Sequence, residues 1–195
     1  AWSSAASDVY KRQNVASNKS VTAGTLALSS ASGNASNYSM GTITLTVTQR
    51  PINVDLEKTY DATTDVSAGD LKSNGITNTV LGHSLTLNGT GTMSNTSVGI
   101  GKSVSVGTLS VSGAQSSNYT LVGGTHTIDV NPRTTNATGT RHYDGTTIAG
   151  SSAFSTFSNS VGGDTITLSG TGSIASAGIG SKGVTIGSLQ SAHPN

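Results

Sequence analysis

Along this chain, aliphatic residues alternate one by one with Ser, Thr and Asn, the period-two pattern of strands with one buried face. Ile43, Leu45 and Val47 point one way, and Thr42, Thr44, Thr46 and Thr48 the other. Ile52, Val54 and Leu56 alternate with Asn53 and Asp55, and Leu85 and Leu87 with Ser84, Thr86 and Asn88. Val104 and Val106 precede Gly107 while Leu109 and Val111 follow it, so Gly107 marks a bulge or bend. Ile128 with Val130 forms a further strand, and Ile166, Leu168, Val184, Ile186 and Leu189 repeat the pattern. Val21, Leu26 and Leu28 give an edge near the start. Gly, Asn and Ser clusters between these runs are turns. Helix signals are thin. Asp65–Val80 holds at most one short turn around Ala68–Lys72, because Gly69 and Gly75 weaken it. The pattern predicts an all-β chain of small antiparallel, immunoglobulin-like β-sandwich modules. A β-grasp-like module is the alternative, and it requires Asp65–Val80 to be a true helix. A β-helix would repeat about every 20 residues, which this chain does not.

The period it does show is near 83. Tyr60-Asp61-Ala62-Thr63-Thr64 returns as Tyr143-Asp144-Gly145-Thr146-Thr147. KSVTAGTL (Lys19–Leu26) returns as KSVSVGTL (Lys102–Leu109) and KGVTIGSL (Lys182–Leu189). GHSLTLNGTG (Gly82–Gly91) matches GDTITLSGTG (Gly163–Gly172), SNYS (Ser36–Ser39) matches SNYT (Ser117–Thr120), and VTQR (Val47–Arg50) matches VNPR (Val130–Arg133). The expected division is 14–50 as the back of one repeat, 51–133 as a whole repeat and 134–195 as the front of a third. Residues 1–13 stand apart. Asp8-Val9-Tyr10-Lys11-Arg12-Gln13 resembles the translated end of a transposon adapter used in sequencing libraries, which would make the chain a metagenomic fragment; the segment, with Trp2, is excluded from fold reasoning.

The five-residue motif reads as a strand end entering a turn. Its Tyr offers a core anchor, its Asp carboxylate accepts from backbone N–H groups one or two residues on, and its Thr pair restarts an extended chain. Since one copy carries Ala62 where the other has Gly145, the reading is that no positive φ is required there. The repeated Tyr38 and Tyr119, the latter beside Asn118, read as core or inter-strand anchors.

The YDGTT motif, the GDTITLSGTG strand and the SNYT segment, in this order and spacing, resemble the YDG-type repeats of large bacterial surface exoproteins, including filamentous-haemagglutinin-like adhesins. Two departures are Ala62 in the middle copy and the missing Asn-Tyr segment in the last. The resemblance implies a non-enzymatic adhesin fragment, extracellular or at the bacterial surface. It would act as a stalk or spacer, with host or matrix glycans or proteins and its own neighbouring repeats as partners.

Composition narrows the rest. Hydrophobic residues are 33%, which implies small aliphatic cores that are marginal alone. A net charge of +1 supplies no basic cluster for nucleic acid. Cys is absent, which excludes disulfides and thiolate metal sites. No apolar run reaches the roughly 18 residues of a membrane span.

Candidate chemistry is sparse, and no cofactor is expected. Gly99-Ile100-Gly101-Lys102-Ser103 has the end of a P-loop, but Thr96 stands where its first Gly is needed, and a strand follows. His83, His126 and His142 take the places of Asp164, Ile43 and Thr59 in other repeats, so they read as surface or strand-end residues; His193 lies at the chain end. Asp61 and Asp65 offer a weak cation site at most, and turn capping is the plainer reading. Asn37-Tyr38-Ser39 and Asn118-Tyr119-Thr120 match the glycosylation triplet by composition. The competing function is a carbohydrate-binding module attached to a secreted enzyme. It needs exposed aromatics, for which Phe154 and Phe157 are the candidates, and both read as buried.

Overall fold

The computed structural model describes residues 15–22, 24–30 and 32–192, so the adapter-like segment and His193 lie outside the described residues. The chain is all-β: among the described residues it contains strands and four short 3-10 turns. It divides into two compact units. One holds the chain up to Leu56 with Asp65–Met93 and Ser103–Ile128; the other holds Glu57–Thr64, Ser94–Lys102 and Asp129 onward.

The largest sheet has six strands, in the order Asp65–Ser67, Thr90–Met93, Gly99–Ser105, His126–Asn131, Asn53–Thr59, Leu71–Thr77. In the first unit, alternation does what the sequence requires. Ile52, Val54 and Leu56 are buried, and so are Val66, Leu87, Met93, Val104, Leu109, Leu121 and Ile128. Aliphatic burial of this kind is worth roughly 25 cal/mol per Å², and among the described Phe and Tyr residues Tyr119 is the one buried in the core. Tyr119–Thr120 runs parallel to Arg50–Pro51, where the sequence led us to expect antiparallel pairing throughout, and the bonds from Val54 N–H to the Thr125 carbonyl and from Tyr60 N–H to the Asn131 carbonyl follow the same parallel direction along Asn53–Thr59 and His126–Asn131. Pro51 lacks an N–H, and the next residue carries the ladder on, Ile52 N–H donating to the Thr120 carbonyl.

Asp65–Val80, the segment a β-grasp needs as a helix, is two strands around a single 3-10 turn at Ala68–Asp70. Asp70 closes that turn by accepting from the Ser67 N–H and hydroxyl, a capping box on a turn too short to propagate. Ahead of the core, Ala16–Ser20 pairs antiparallel with Thr44–Val47. Leu26 and Leu28 belong to no strand and are exposed, so the expected edge stops at Val21.

The second unit rebuilds the same local pairings one period later. Ile148–Gly150 pairs with Thr171–Ile174, as Asp65–Ser67 pairs with Thr90–Met93. Thr167–Ser169 pairs with Gln190–Ala192, as Thr86–Asn88 does with Ser110–Ser112. Backbone angles repeat as well: Gly24, Gly107 and Gly187 have φ of 54°, 55° and 56°. At Gly107 a Cβ would stand 2.7 Å from the Thr90 carbonyl oxygen, so the expected bend is a position only Gly fits. The third copy has no counterpart in this sequence of the strand His126–Asn131. Its hydrophobes Phe154, Phe157, Leu168, Ile174, Val184 and Leu189 are accordingly half-buried, and Ala149 is its fully buried one.

Candidate functional site

The motif Tyr60–Thr64 follows the strand Asn53–Thr59, and the Tyr60 N–H donates to the Asn131 carbonyl. Asp61 Oδ1 accepts from the Thr63 N–H at 3.0 Å and the Thr63 hydroxyl at 2.9 Å. The second copy is nearly identical, with Asp144 Oδ1 at 2.9 and 3.0 Å from the Thr146 N–H and hydroxyl. A basic residue three positions before each Asp completes the turn. Lys58 Nζ lies 2.9 Å from Asp61 Oδ1, and Arg141 Nη1 lies 2.9 Å from Asp144 Oδ2. Lys58 is buried, its ammonium also donating to the Thr63 carbonyl and hydroxyl. Arg141 donates to the carbonyls of Thr146 and Ile148. Sequence comparison missed this partner because Lys and Arg differ in letter while sharing a charge.

These contacts set the acidity of both carboxyls. Burial pushes Asp61 up, but the Thr63 N–H, the Lys58 ammonium and the Thr63 hydroxyl outweigh it and hold the group below the ordinary carboxylate value. Asp144 is held low by the Thr146 N–H, then by its hydroxyl, with Arg141 adding to both.

Two expectations for the motif fail. Ala62 stands at φ +63° and Gly145 at +75°, so the left-handed conformation is required and Ala62 accepts its strain. Nor is the Tyr a core anchor: Tyr60 is half-buried and Tyr143 is 70% exposed.

What Tyr60 does is reach the next repeat. Within the second unit its hydroxyl donates to Asp164 Oδ2 at 2.9 Å, and that bond, with burial adding to it, raises its pKa. Beside it, Arg133 grips Asn159: Nε donates to the main-chain carbonyl at 2.9 Å and Nη2 to Oδ1 at 2.8 Å, while Nη1 reaches the Tyr60 carbonyl. Asn159 is left-handed, φ +68°, and its amide donates to the Thr134 carbonyl. The first unit holds the same clamp one period earlier. Arg50 Nε and Nη2 donate to the carbonyl and Oδ1 of Asn78, also left-handed, and Asn78 returns a bond to Pro51. Around Tyr60 lies a cleft of about 500 Å³ bordered by Thr96, Val98, Arg133, Asn159 and Asp164. Gly162 closes against it so tightly that a Cβ there would sit 2.4 Å from the Ala62 Cβ.

The remaining sequence candidates fall elsewhere. Thr64 is half-buried; Thr147 is exposed, and its carbonyl accepts the Ile174 N–H. Tyr119 is 3% exposed, its hydroxyl accepting the Val80 N–H at 3.0 Å and meeting His83 Nδ1 at 2.6 Å. His83 therefore braces a core tyrosine. Asn118 Oδ1 accepts the Val15 N–H, and its amide donates to Gln115. Tyr38, expected as an anchor, is 74% exposed, because the stretch that supplies Tyr119 with Val80 and His83 has no copy ahead of it in this sequence. His126 is buried rather than surface-exposed. Its Nε2 pairs with the Leu121 carbonyl oxygen, and its Nδ1 has no partner. His142 is exposed.

The P-loop-like stretch lies inside the strand Gly99–Ser105. Its Gly101 N–H donates to the Asp129 carboxylate and Lys102 is spent on Asn95 and Ser97, an arrangement that repels phosphate. Asp61 is occupied by Lys58 and Thr63. Among the described residues no three His, Asp or Glu gather around a common metal position, and no helix is long and apolar enough to cross a membrane.

An all-β module that repeats its turns, clamps and glycine angles in register defines the class of protein, a repeat protein. The chain belongs to the YDG domain family, whose model matches residues 43–128 and again 127–193. No curated protein and no solved structure matches it.

Proposed function

We propose that this chain is a spacer section of a repetitive bacterial exoprotein of the filamentous-haemagglutinin-like kind, secreted or held at the cell surface. Its modules, small β-sandwiches divided near Pro51 and Arg133, stand in series. They hold a distal tip away from the surface or make weak multivalent contacts with host or matrix glycans and proteins. They perform no catalysis. The observation that carries this reading is the bond from Tyr60 to Asp164: the side chain that names the motif is spent on joining one repeat to the next. The Arg133–Asn159 clamp beside it supports the same reading, since a ligand site would keep its donors unspent. The test is to lengthen the chain by whole copies of 51–133 and measure the maximum dimension by small-angle scattering. A spacer gains a constant increment per copy. A dimension that fails to grow overturns the reading.

A further inference from the structure

The repeat 51–133 begins and ends on strands that lie side by side. Asn53–Thr59 and His126–Asn131 are neighbours in the six-stranded sheet. Their bonds run in parallel order: the Val54 N–H donates to the Thr125 carbonyl at 3.0 Å and the Tyr60 N–H to the Asn131 carbonyl at 2.9 Å. Ahead of them the Ile52 N–H donates to the Thr120 carbonyl at 3.0 Å, and Arg50–Pro51 pairs in the same direction with Tyr119–Thr120. Parallel neighbours need a long crossover to join them, and here the rest of the repeat is that crossover.

Side chains add a second set of rungs between the same strands. In the first unit Asn53 Oδ1 accepts from the Thr125 N–H at 2.9 Å, and Asp55 Oδ1 from the Thr127 hydroxyl at 3.4 Å. In the second unit the Asn131 amide donates to the Glu57 carboxylate, and Arg133 Nη1 to the Tyr60 carbonyl. Positions 53, 55 and 57 carry rungs because alternate residues of a strand share a face. On the opposite face Ile52, Val54, Leu56, Ile128 and Val130 are buried, and apolar packing there keeps water from competing for the backbone bonds.

We propose that this parallel pair is a mechanical clamp that makes the repeat load-bearing. Its use rests on the serial arrangement proposed above, in which tension enters at Pro51 and leaves at Arg133. Tension applied to the N-terminal end of one strand and the C-terminal end of a parallel neighbour slides the two along each other. All rungs are then strained at once and must break together. Strands pulled apart from one shared end give up their rungs in turn. Each bond adds little to equilibrium stability; loaded together, the bonds act on the unfolding rate, which governs forced unfolding.

The chain has no Cys, so pairs of introduced cysteines, coupled to handles while reduced, set where the full-length protein is pulled. Thr48→Cys with Thr134→Cys, both at exposed positions, loads the two strands in opposite directions. Thr48→Cys with Ser117→Cys, also exposed, pulls from just ahead of Arg50–Pro51 and of Tyr119–Thr120, the end that the parallel pairs share. In single-molecule force spectroscopy at one pulling speed, the 48/134 pair should need at least about twice the rupture force of the 48/117 pair. Asn53→Ala takes the acceptor from the Thr125 N–H and should lower the 48/134 force by more than the 48/117 force. Equal forces in the two geometries, or a 48/134 force unmoved by Asn53→Ala, overturn the clamp. The spacer reading is scored separately by the scattering increment: a chain that lengthens with each copy yet ruptures equally in both geometries keeps the spacer and loses the clamp. Unequal rupture without an increment does the reverse.

Discussion

At the scale of single residues, the Tyr-Asp turn is decided by one backbone angle and one carboxylate. An Ala at φ +63° carries a steric cost of roughly 1–2 kcal/mol that Gly avoids. Ala62→Gly should therefore stabilise the chain by about 1 kcal/mol, less the small gain in unfolded-state entropy, as read by denaturant unfolding. Asp61→Ala removes the acceptor of the Thr63 N–H and leaves buried Lys58 without its carboxylate, and should cost about 1 kcal/mol or more. Both aspartates also have pKa values lowered in the fold. The sign follows: a carboxyl that ionises more readily when folded adds stability above the ordinary value of about 3.9, and the gain is lost as pH falls through the folded value. Stability measured against pH should fall on that acid limb, and Asp144→Asn should flatten it. The sequence carried the Asp but not the angle. Two copies reading Ala and Gly imply an ordinary φ by propensity, yet the Asx turn closed by Asp61 and Thr63 overrides propensity.

At the scale of elements, strand positions were legible because period-two alternation reports burial directly, and Ile52, Val54, Leu56, Ile128 and Val130 lie inside as it requires. Pairing partners were not legible, since alternation fixes a face and says nothing of the neighbour. The parallel pair at Arg50–Pro51 is the case in point. Glycines carry much of the remaining specification. Gly89 and Gly170, from the repeated Gly-Thr-Gly, have φ of +83° and +88°, and a Cβ on either would stand 2.2 Å from a carbonyl oxygen, of Thr108 or Ser188. Both the angle and the contact resist a side chain, so Gly89→Ala should cost about 3 kcal/mol. Ile128→Ala, which empties a fully buried site, should cost a similar 2–5 kcal/mol. The glycine variant is the more informative. Its cost exceeding that of Gly69→Ala, where the nearest atom is a serine hydroxyl at 3.4 Å, would separate backbone geometry from mere loss of flexibility.

At the scale of the whole chain, the period repeats more than its strands: it repeats a side-chain clamp. Arg50–Asn78 and Arg133–Asn159 are one clamp written twice, and neither was visible in the sequence, because Asn78 and Asn159 sit among many Asn residues and only their left-handed backbones mark them. Hydrogen exchange should protect Val54, Leu56, Val104 and Ile128 above Leu168, Val184 and Leu189, whose copy lacks the strand that matches His126–Asn131; equal protection would deny that this strand completes the core. The seam itself is testable by alkali. Tyr60 donates its phenolic proton to Asp164, so removing that proton breaks a hydrogen bond and sets two negative charges side by side. Its pKa is accordingly raised above the ordinary value near 10. A raised folded value means the bond's contribution is whole below the unfolded pKa and is lost as pH climbs through the folded one. Exchange protection at Val161 and Asp164 should therefore decline above about pH 10 in the native chain. In Tyr60→Phe, which keeps the ring and has no proton to lose, protection should start lower and show no such step. The Arg133 clamp on Asn159 stands beside this bond and provides the internal reference. An alkaline step that persists in Tyr60→Phe would assign the transition to another group and remove the Tyr60–Asp164 bond as the link between repeats.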